Sequence, residues 1–121
     1  MHLEHVNLTV TDLDRSIAFY VDLLDLDMRW KGPLGDGRDG AHVGDDTGYV
    51  ALFEAARDGD VPYDYSVPGF NHLGFVVDDL DDVLRRLDAM GVAVHLDMTY
   101  EPGRHVYCFD PDGHEVELVQ Y

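Results

Sequence analysis

Only one lysine and one cysteine occur in these 121 residues, Lys31 and Cys108. A single thiol has no partner within its chain, so no disulfide framework holds this fold. A reducing cytoplasm is the setting expected. Long apolar runs are also missing, and none approaches the ~20 residues of a membrane span. The opening, MHLEHVNLTV, has no basic start and no apolar stretch of export-signal length. Positive charge is scarce. Eight Lys and Arg stand against 25 Asp and Glu, a formal net charge of −17, and 20 of the acids are Asp. Such a surface repels nucleic acid and anionic membranes. It also repels itself, a cost that ~1 M salt removes by shortening the Debye length to ~3 Å. Asp-rich, Lys-poor surfaces of this kind resemble those of halophilic archaea, and a salt-requiring protein is expected.

What the chain does have is a repeat. His5 opens HVNLTV and is followed by Asp12-Leu13-Asp14. His72 opens HLGFVV and is followed by Asp79-Leu80-Asp81. Counted from each histidine, Val10 matches Val77 and the two Asp-Leu-Asp triplets coincide, 67 residues apart. The length suits one domain, which buries roughly 65% of its unfolded surface.

Each copy reads as β-α-β-β-β. In the first, Leu3 to Val10 alternates as a strand, with His5, Asn7 and Thr9 on one face. Asp12 is placed to cap a helix with an apolar stripe of Leu13, Ile17, Tyr20, Val21 and Leu24. Strands follow at Asp27 to Lys31, Ala41 to Val43 and Tyr49 to Ala55. In the second, Asn71 to Val77 is a strand. Asp78 or Asp79 caps a helix striped by Leu80, Val83, Leu84 and Leu87, and Gly91 suits a left-handed helix end. Val92 to Leu96, His105 to Phe109 and Glu115 to Gln120 complete the set. The domain therefore divides into unit 1 (1–55), a linker rich in Gly, Pro and Asp (56–69) and unit 2 (70–121).

Packing alone explains the paired apolar positions, since neither unit can bury its helix and sheet unaided. It does not explain a histidine at the same place in both first strands. If His5 and His72 face a common cleft, the last strand of each unit should face it too. Those strands carry Glu54 and Glu117, 49 and 45 residues after their histidines. A lone carboxylate in an apolar strand is expensive to bury, and a divalent cation removes that cost. Two His and two Glu suit Zn, Ni, Co, Mn or Fe, with two octahedral positions left for water or substrate.

The chain resembles the vicinal oxygen chelate (VOC) superfamily, which includes glyoxalase I, extradiol dioxygenases, and fosfomycin and bleomycin resistance proteins. HVNLTVTDLDRSIAFYVDLLDL is similar to the glyoxalase opening motif, and FDPDGHEVELVQ to the superfamily's closing motif, whose metal-binding glutamate falls on Glu117. Asp25 departs from the usual Gly, and Asn71 from the usual Gly or His before the second metal histidine. The resemblance implies an α+β fold of two tandem βαβββ units forming a cupped mixed sheet around one divalent metal. Its metal ligands would be His5, Glu54, His72 and Glu117.

The activity implied is a glyoxalase I-type (lactoylglutathione lyase-type) isomerisation. A thiol–2-oxoaldehyde hemithioacetal would pass through an enediolate, with Glu117 or Glu54 taking the proton. Two enzyme alternatives stand beside it. An extradiol dioxygenase would use His5, His72 and Glu117, but its motif wants a histidine where Met98-Thr99-Tyr100 lie. A fosfomycin-resistance-type thiol transferase shares those three ligands, but its substrate-side Thr is Asn7 here. A non-catalytic, bleomycin-resistance-like binding protein is the alternative of another class. The expected partners are a small-molecule substrate and a second copy of the chain, as a homodimer. Arg38 and Arg104 are candidates to receive a substrate carboxylate. His42, His95, His105 and His114 read as surface or rim residues.

Overall fold

A computed structural model describes all 121 residues. The chain divides into two compact units, Met1–Gly59 and Asp60–Tyr121, with the division inside the Gly/Pro/Asp-rich linker.

Unit 1 runs β1 (His5–Val10), α1 (Leu13–Leu24), β2 (Asp27–Pro33), β3 (Asp39–Gly44) and β4 (Tyr49–Glu54). Its sheet has the order β1-β4-β3-β2, with β1 parallel to β4 and the other pairs antiparallel. Unit 2 repeats this with β5 (His72–Val76), α2 (Leu80–Ala89), β6 (Val94–Tyr100), β7 (Gly103–Phe109) and β8 (Glu115–Gln120), in the order β5-β8-β7-β6. The two four-stranded mixed sheets and two helices form the expected tandem βαβββ arrangement. No helix is long and apolar enough to cross a membrane.

The same local chemistry starts both helices. Asp12 and Asp79 have extended backbones and accept from the amides of Arg15 and Asp82, at 3.0 and 2.9 Å. Each satisfies a helix-end donor that has no partner within the helix, worth ~1 kcal/mol. Helix α2 ends with Gly91 at φ 70°. Helix α1 ends on Asp25, left-handed at φ 55° and ψ 41°. The departure from Gly at this position is therefore borne by a side chain in a conformation that disfavours Cβ.

Helix α1 buries a face rotated from the stripe expected. Leu13, Ser16, Phe19, Tyr20 and Leu23 are buried, while Ile17, Val21 and Leu24 are half-buried on its flank. The apolar positions span more than one stripe, and the packing against β3 and β4 decides which is innermost. Leu8, Val10, Val43, Val50 and Leu52 complete that core, and Leu80, Val83, Leu87, Val106, Val116 and Leu118 build the one in unit 2. Each such side chain contributes roughly 1.5–3 kcal/mol of burial.

Both units carry a bulge at the same place. It falls between Met28 and Trp30 in β2 and between Val94 and Leu96 in β6. The extra residues, Arg29 and His95, are thus equivalent, and a bulge re-aims the side chain it carries.

Candidate metal centre and its buried network

Strand register decides which side chains share a face with each histidine. In unit 2, β5 lies parallel to β8 with His72 opposite Glu115 and Gly74 opposite Glu117. Alternate residues of a strand face one side, so Glu115 and Glu117 stand on the His72 face. In unit 1, His5 lies opposite Tyr49, Asn7 opposite Ala51 and Val10 opposite Glu54. Tyr49 is therefore the counterpart of Glu115, and Ala51 the counterpart of Glu117.

This corrects the expected pairing of His5 with Glu54. Glu54 lies five residues beyond Tyr49, roughly 16 Å along the strand, and on the face of Val10 rather than of His5. Its carboxylate accepts from the Asp39 amide at 2.7 Å, and its carbonyl from Arg38 Nη1 at 3.0 Å. The four-residue difference between the two His-to-Glu spacings is the sign that the positions do not match.

Unit 2 brings His72 and Glu117 together, with Nε2 2.8 Å from Oε2. The other carboxylate oxygen, Oε1, is held by His105 Nδ1 at 2.6 Å and by the Tyr107 hydroxyl at 2.9 Å. Burial alone would raise the Glu117 carboxyl. The hydrogen bonds from His105 and Tyr107, with the nearby imidazoles, outweigh it and hold the carboxyl below its ordinary range. Tyr107 is pushed well above the usual phenol range by burial, then by its bonds to Glu117 and Tyr100, so it remains a donor.

A second carboxylate lies beside the first. Glu115, only 3% exposed, accepts from Tyr63 at 3.0 Å and from His95 Nε2 at 2.8 Å, both on Oε2. Tyr65 donates to its Oε1. Burial and the Glu115 carboxylate push the Tyr65 phenol well above its usual range. The donors to Glu115 and Glu117 are thus imidazoles and phenols. The arginines of unit 2 are engaged with other acids: Arg85 and Arg86 with Asp82, and Arg104 with Asp97 and Asp81. Arg38 of unit 1 is paired with Asp36. Arg38 and Arg104, the candidates for a substrate carboxylate, are thus both drawn into surface ion pairs.

Unit 1 presents a row of rings instead. His5 stacks on Tyr49 with centroids 4.9 Å apart, Tyr49 on His42 at 4.4 Å, and His42 lies 5.1 Å from Trp30. One ring comes from each strand. The bulged Arg29 sits 4.9 Å over Tyr49, the place where His95 meets Glu115 in unit 2. His5 is exposed, with Nδ1 2.9 Å from Glu4. The Asn7 amide donates to the Ala51 carbonyl at 3.1 Å, which fixes it to β4.

Two of the histidines read as surface or rim are buried. His105 is 5% exposed, and its Nε2 has no hydrogen-bond partner. His114 is buried against Asp110 at 2.8 Å and anchors the turn before β8. His95 joins Glu115. Tyr63 and Tyr65 lie in the linker rich in Gly, Pro and Asp. The one signal available was period-two alternation: Glu115 and Glu117 share a face, so residues of the neighbouring strand β7 that share it become candidates.

No three His, Cys, Asp or Glu side chains are grouped as a complete metal site. Unit 2 alone offers two donors of suitable chemistry, an imidazole nitrogen and a carboxylate oxygen in contact, each with its remote atom already held. That donor pair fits a borderline divalent cation.

The comparisons agree with this fold. The chain is 31% identical over 121 residues to the glutathione transferase FosA of Serratia marcescens, covering 96% of this chain and 78% of that protein. It is 32% identical over 126 residues to a probable lactoylglutathione lyase of Synechocystis sp., covering 99% and 95%. A glyoxylase/bleomycin resistance protein/dioxygenase domain from Frankia sp. EAN1pec has a similar structure, with TM-score 0.82, 31% identity and coverage of 99% and 97%. Residues 2–118 match the family model, and the chain belongs to the Glyoxalase/Bleomycin resistance protein/Dioxygenase superfamily.

Proposed function

We propose that this chain is a divalent-metal-dependent enzyme of glyoxalase I type, with His5, His72 and Glu117 as protein ligands. The observation that carries it is the network around His72 and Glu117: one buried carboxylate, Glu115, and one half-buried, Glu117, both bonded by imidazoles and phenols. A divalent cation there would act as a Lewis acid toward a substrate offering two neighbouring oxygens. Oε2, the one Glu117 oxygen that His105 and Tyr107 leave open, would hold the cation and, where substrate displaces it, would take the substrate proton. A positioned base of this kind contributes roughly 10²- to 10⁴-fold. The proposed set omits Glu54, whose register puts it on the face of Val10 rather than of His5. The substrate expected is a thiol–2-oxoaldehyde adduct of low charge, since the nearby arginines are already paired. We further propose a homodimer.

A second reading has its own support. With Ala51 opposite Asn7, unit 1 supplies no matching carboxylate, and three ligands are the set of a fosfomycin-resistance-type transferase. The FosA similarity points the same way. The test is turnover in ~2 M KCl with Ni, Co, Mn or Zn, of methylglyoxal plus thiols and of fosfomycin plus thiols. Thioester formation, abolished by Glu117→Gln, is the expected result. Turnover of fosfomycin alone would favour the second reading. Absence of metal binding would leave a ligand-binding protein.

A further inference from the structure

The hydroxyl of Tyr65 touches two groups. It donates to Glu115 Oε1 and lies 2.8 Å from His72 Nδ1. A phenol has one proton to give. With that proton on Glu115, the phenol oxygen can only accept from His72, so Nδ1 carries hydrogen. Nε2 faces Glu117 Oε2 at 2.8 Å, and since a carboxylate only accepts, the hydrogen that Nε2 gives it is the one a cation would replace.

Glu115 cannot do this directly, because its Oε1 is 3.6 Å from Nδ1, beyond hydrogen-bond range. Its Oε2 is taken by Tyr63 and His95, which leaves Oε1 for Tyr65. Tyr65 also stacks on the imidazole, with centroids 6.2 Å apart and planes 25° apart, so the same contact orients the ring. The Tyr63 ring packs edge-on against Tyr65 and Phe109 and fastens the segment to β7. Unit 1 has no such relay, since Tyr49 replaces Glu115 there.

We propose that Tyr65, backed by Glu115, is a positioning residue that fixes the Nδ1–H form and ring plane of His72 and leaves Nε2 for a divalent cation. The proposal rests on His72 being a metal ligand. An imidazole ligand whose remote N–H is held by an acceptor binds metal more tightly, and loss of the acceptor costs roughly 10- to 100-fold in affinity.

The test measures Co²⁺ affinity of the full chain by competition with a chelating dye, in high salt. Tyr65→Phe should lose roughly 10- to 100-fold, with an altered visible Co²⁺ spectrum and an unchanged metal-free melt. Tyr63→Phe, which removes a Glu115 contact but not the one to His72, should keep wild-type affinity and spectrum. Wild-type affinity in Tyr65→Phe, or an equal loss in Tyr63→Phe, would overturn the proposal. His72→Ala separates the layers: if it keeps Co²⁺ the ligand reading fails, and if it alone loses Co²⁺ only the positioning role fails. Nitrogen NMR of the Zn²⁺-loaded wild type gives an answer that needs no variant. Hydrogen on Nδ1 with metal on Nε2 is expected, and the reverse overturns the proposal.

Discussion

Ala51→Glu places a carboxylate at the unit 1 position that matches Glu117. Ala51 is 3% exposed, on the His5 face of β4, with Asn7 opposite on one side and His42 on the other. Without metal, the new carboxylate is buried beside polar but uncharged neighbours, costing about 2–4 kcal/mol. For a domain of this size 1 kcal/mol moves the midpoint by about 4 °C, so the variant should melt roughly 8–16 °C below wild type in EDTA. If the proposed site takes a cation, the balance changes. At a cation concentration of ~100 Kd, binding stabilises wild type by about 2.7 kcal/mol. A fourth ligand that tightens binding ~10-fold adds about 1.4 kcal/mol to the variant alone, narrowing the gap by roughly 6 °C. Paired melts in EDTA and in excess Co²⁺ read this directly. An equal gap in both conditions would show that the Ala51 position does not face the metal, and the inferred equivalence with Glu117 would lose its functional meaning.

Four further outcomes are expected. Burial, then the charges of Asp110 and Glu115, pushes the Cys108 thiol up to about 12, so the folded protein should resist alkylation at pH 8 and react only as fast as it unfolds; rapid native labelling would contradict the buried placement. Asp25→Gly should raise the melting midpoint by a few degrees, because glycine relieves about 1 kcal/mol of left-handed strain, and an unchanged or lower midpoint would mean that the aspartate side chain offsets it. The −17 charge predicts a much higher midpoint in 2 M than in 0.1 M KCl, and equal midpoints would remove the high-salt reading. If the homodimer builds its sites from His5 of one chain and His72 with Glu117 of the other, inactive His5→Ala and Glu117→Gln chains refolded together should recover about a quarter of the sites, and confirmed mixed dimers without activity would show sites built within one chain.

The sequence by itself determined the repeat and nearly all of the local structure. Asp12 and Asp79 cap their helices because a short acidic side chain can reach the amide three residues on, a choice made within a single turn. Gly91 takes the left-handed position for an equally local reason. Glu117 was picked out through the resemblance of its closing motif, while its register against His72 is set by the pairing of β5 with β8. What only the tertiary structure decided is which residues stand opposite one another. Glu54 and Ala51 are three positions apart on one strand, and an odd shift turns a side chain to the other face of the sheet. No count along the chain measures that register, because it is set by pairing between β1 and β4, which are separated by a helix, two strands and their loops. The same holds for Tyr63 and Tyr65, whose stretch shows no periodicity. Their partner Glu115 lies 50 or more residues away, and only folding brings a buried carboxylate within reach of two phenols that local sequence would leave in water.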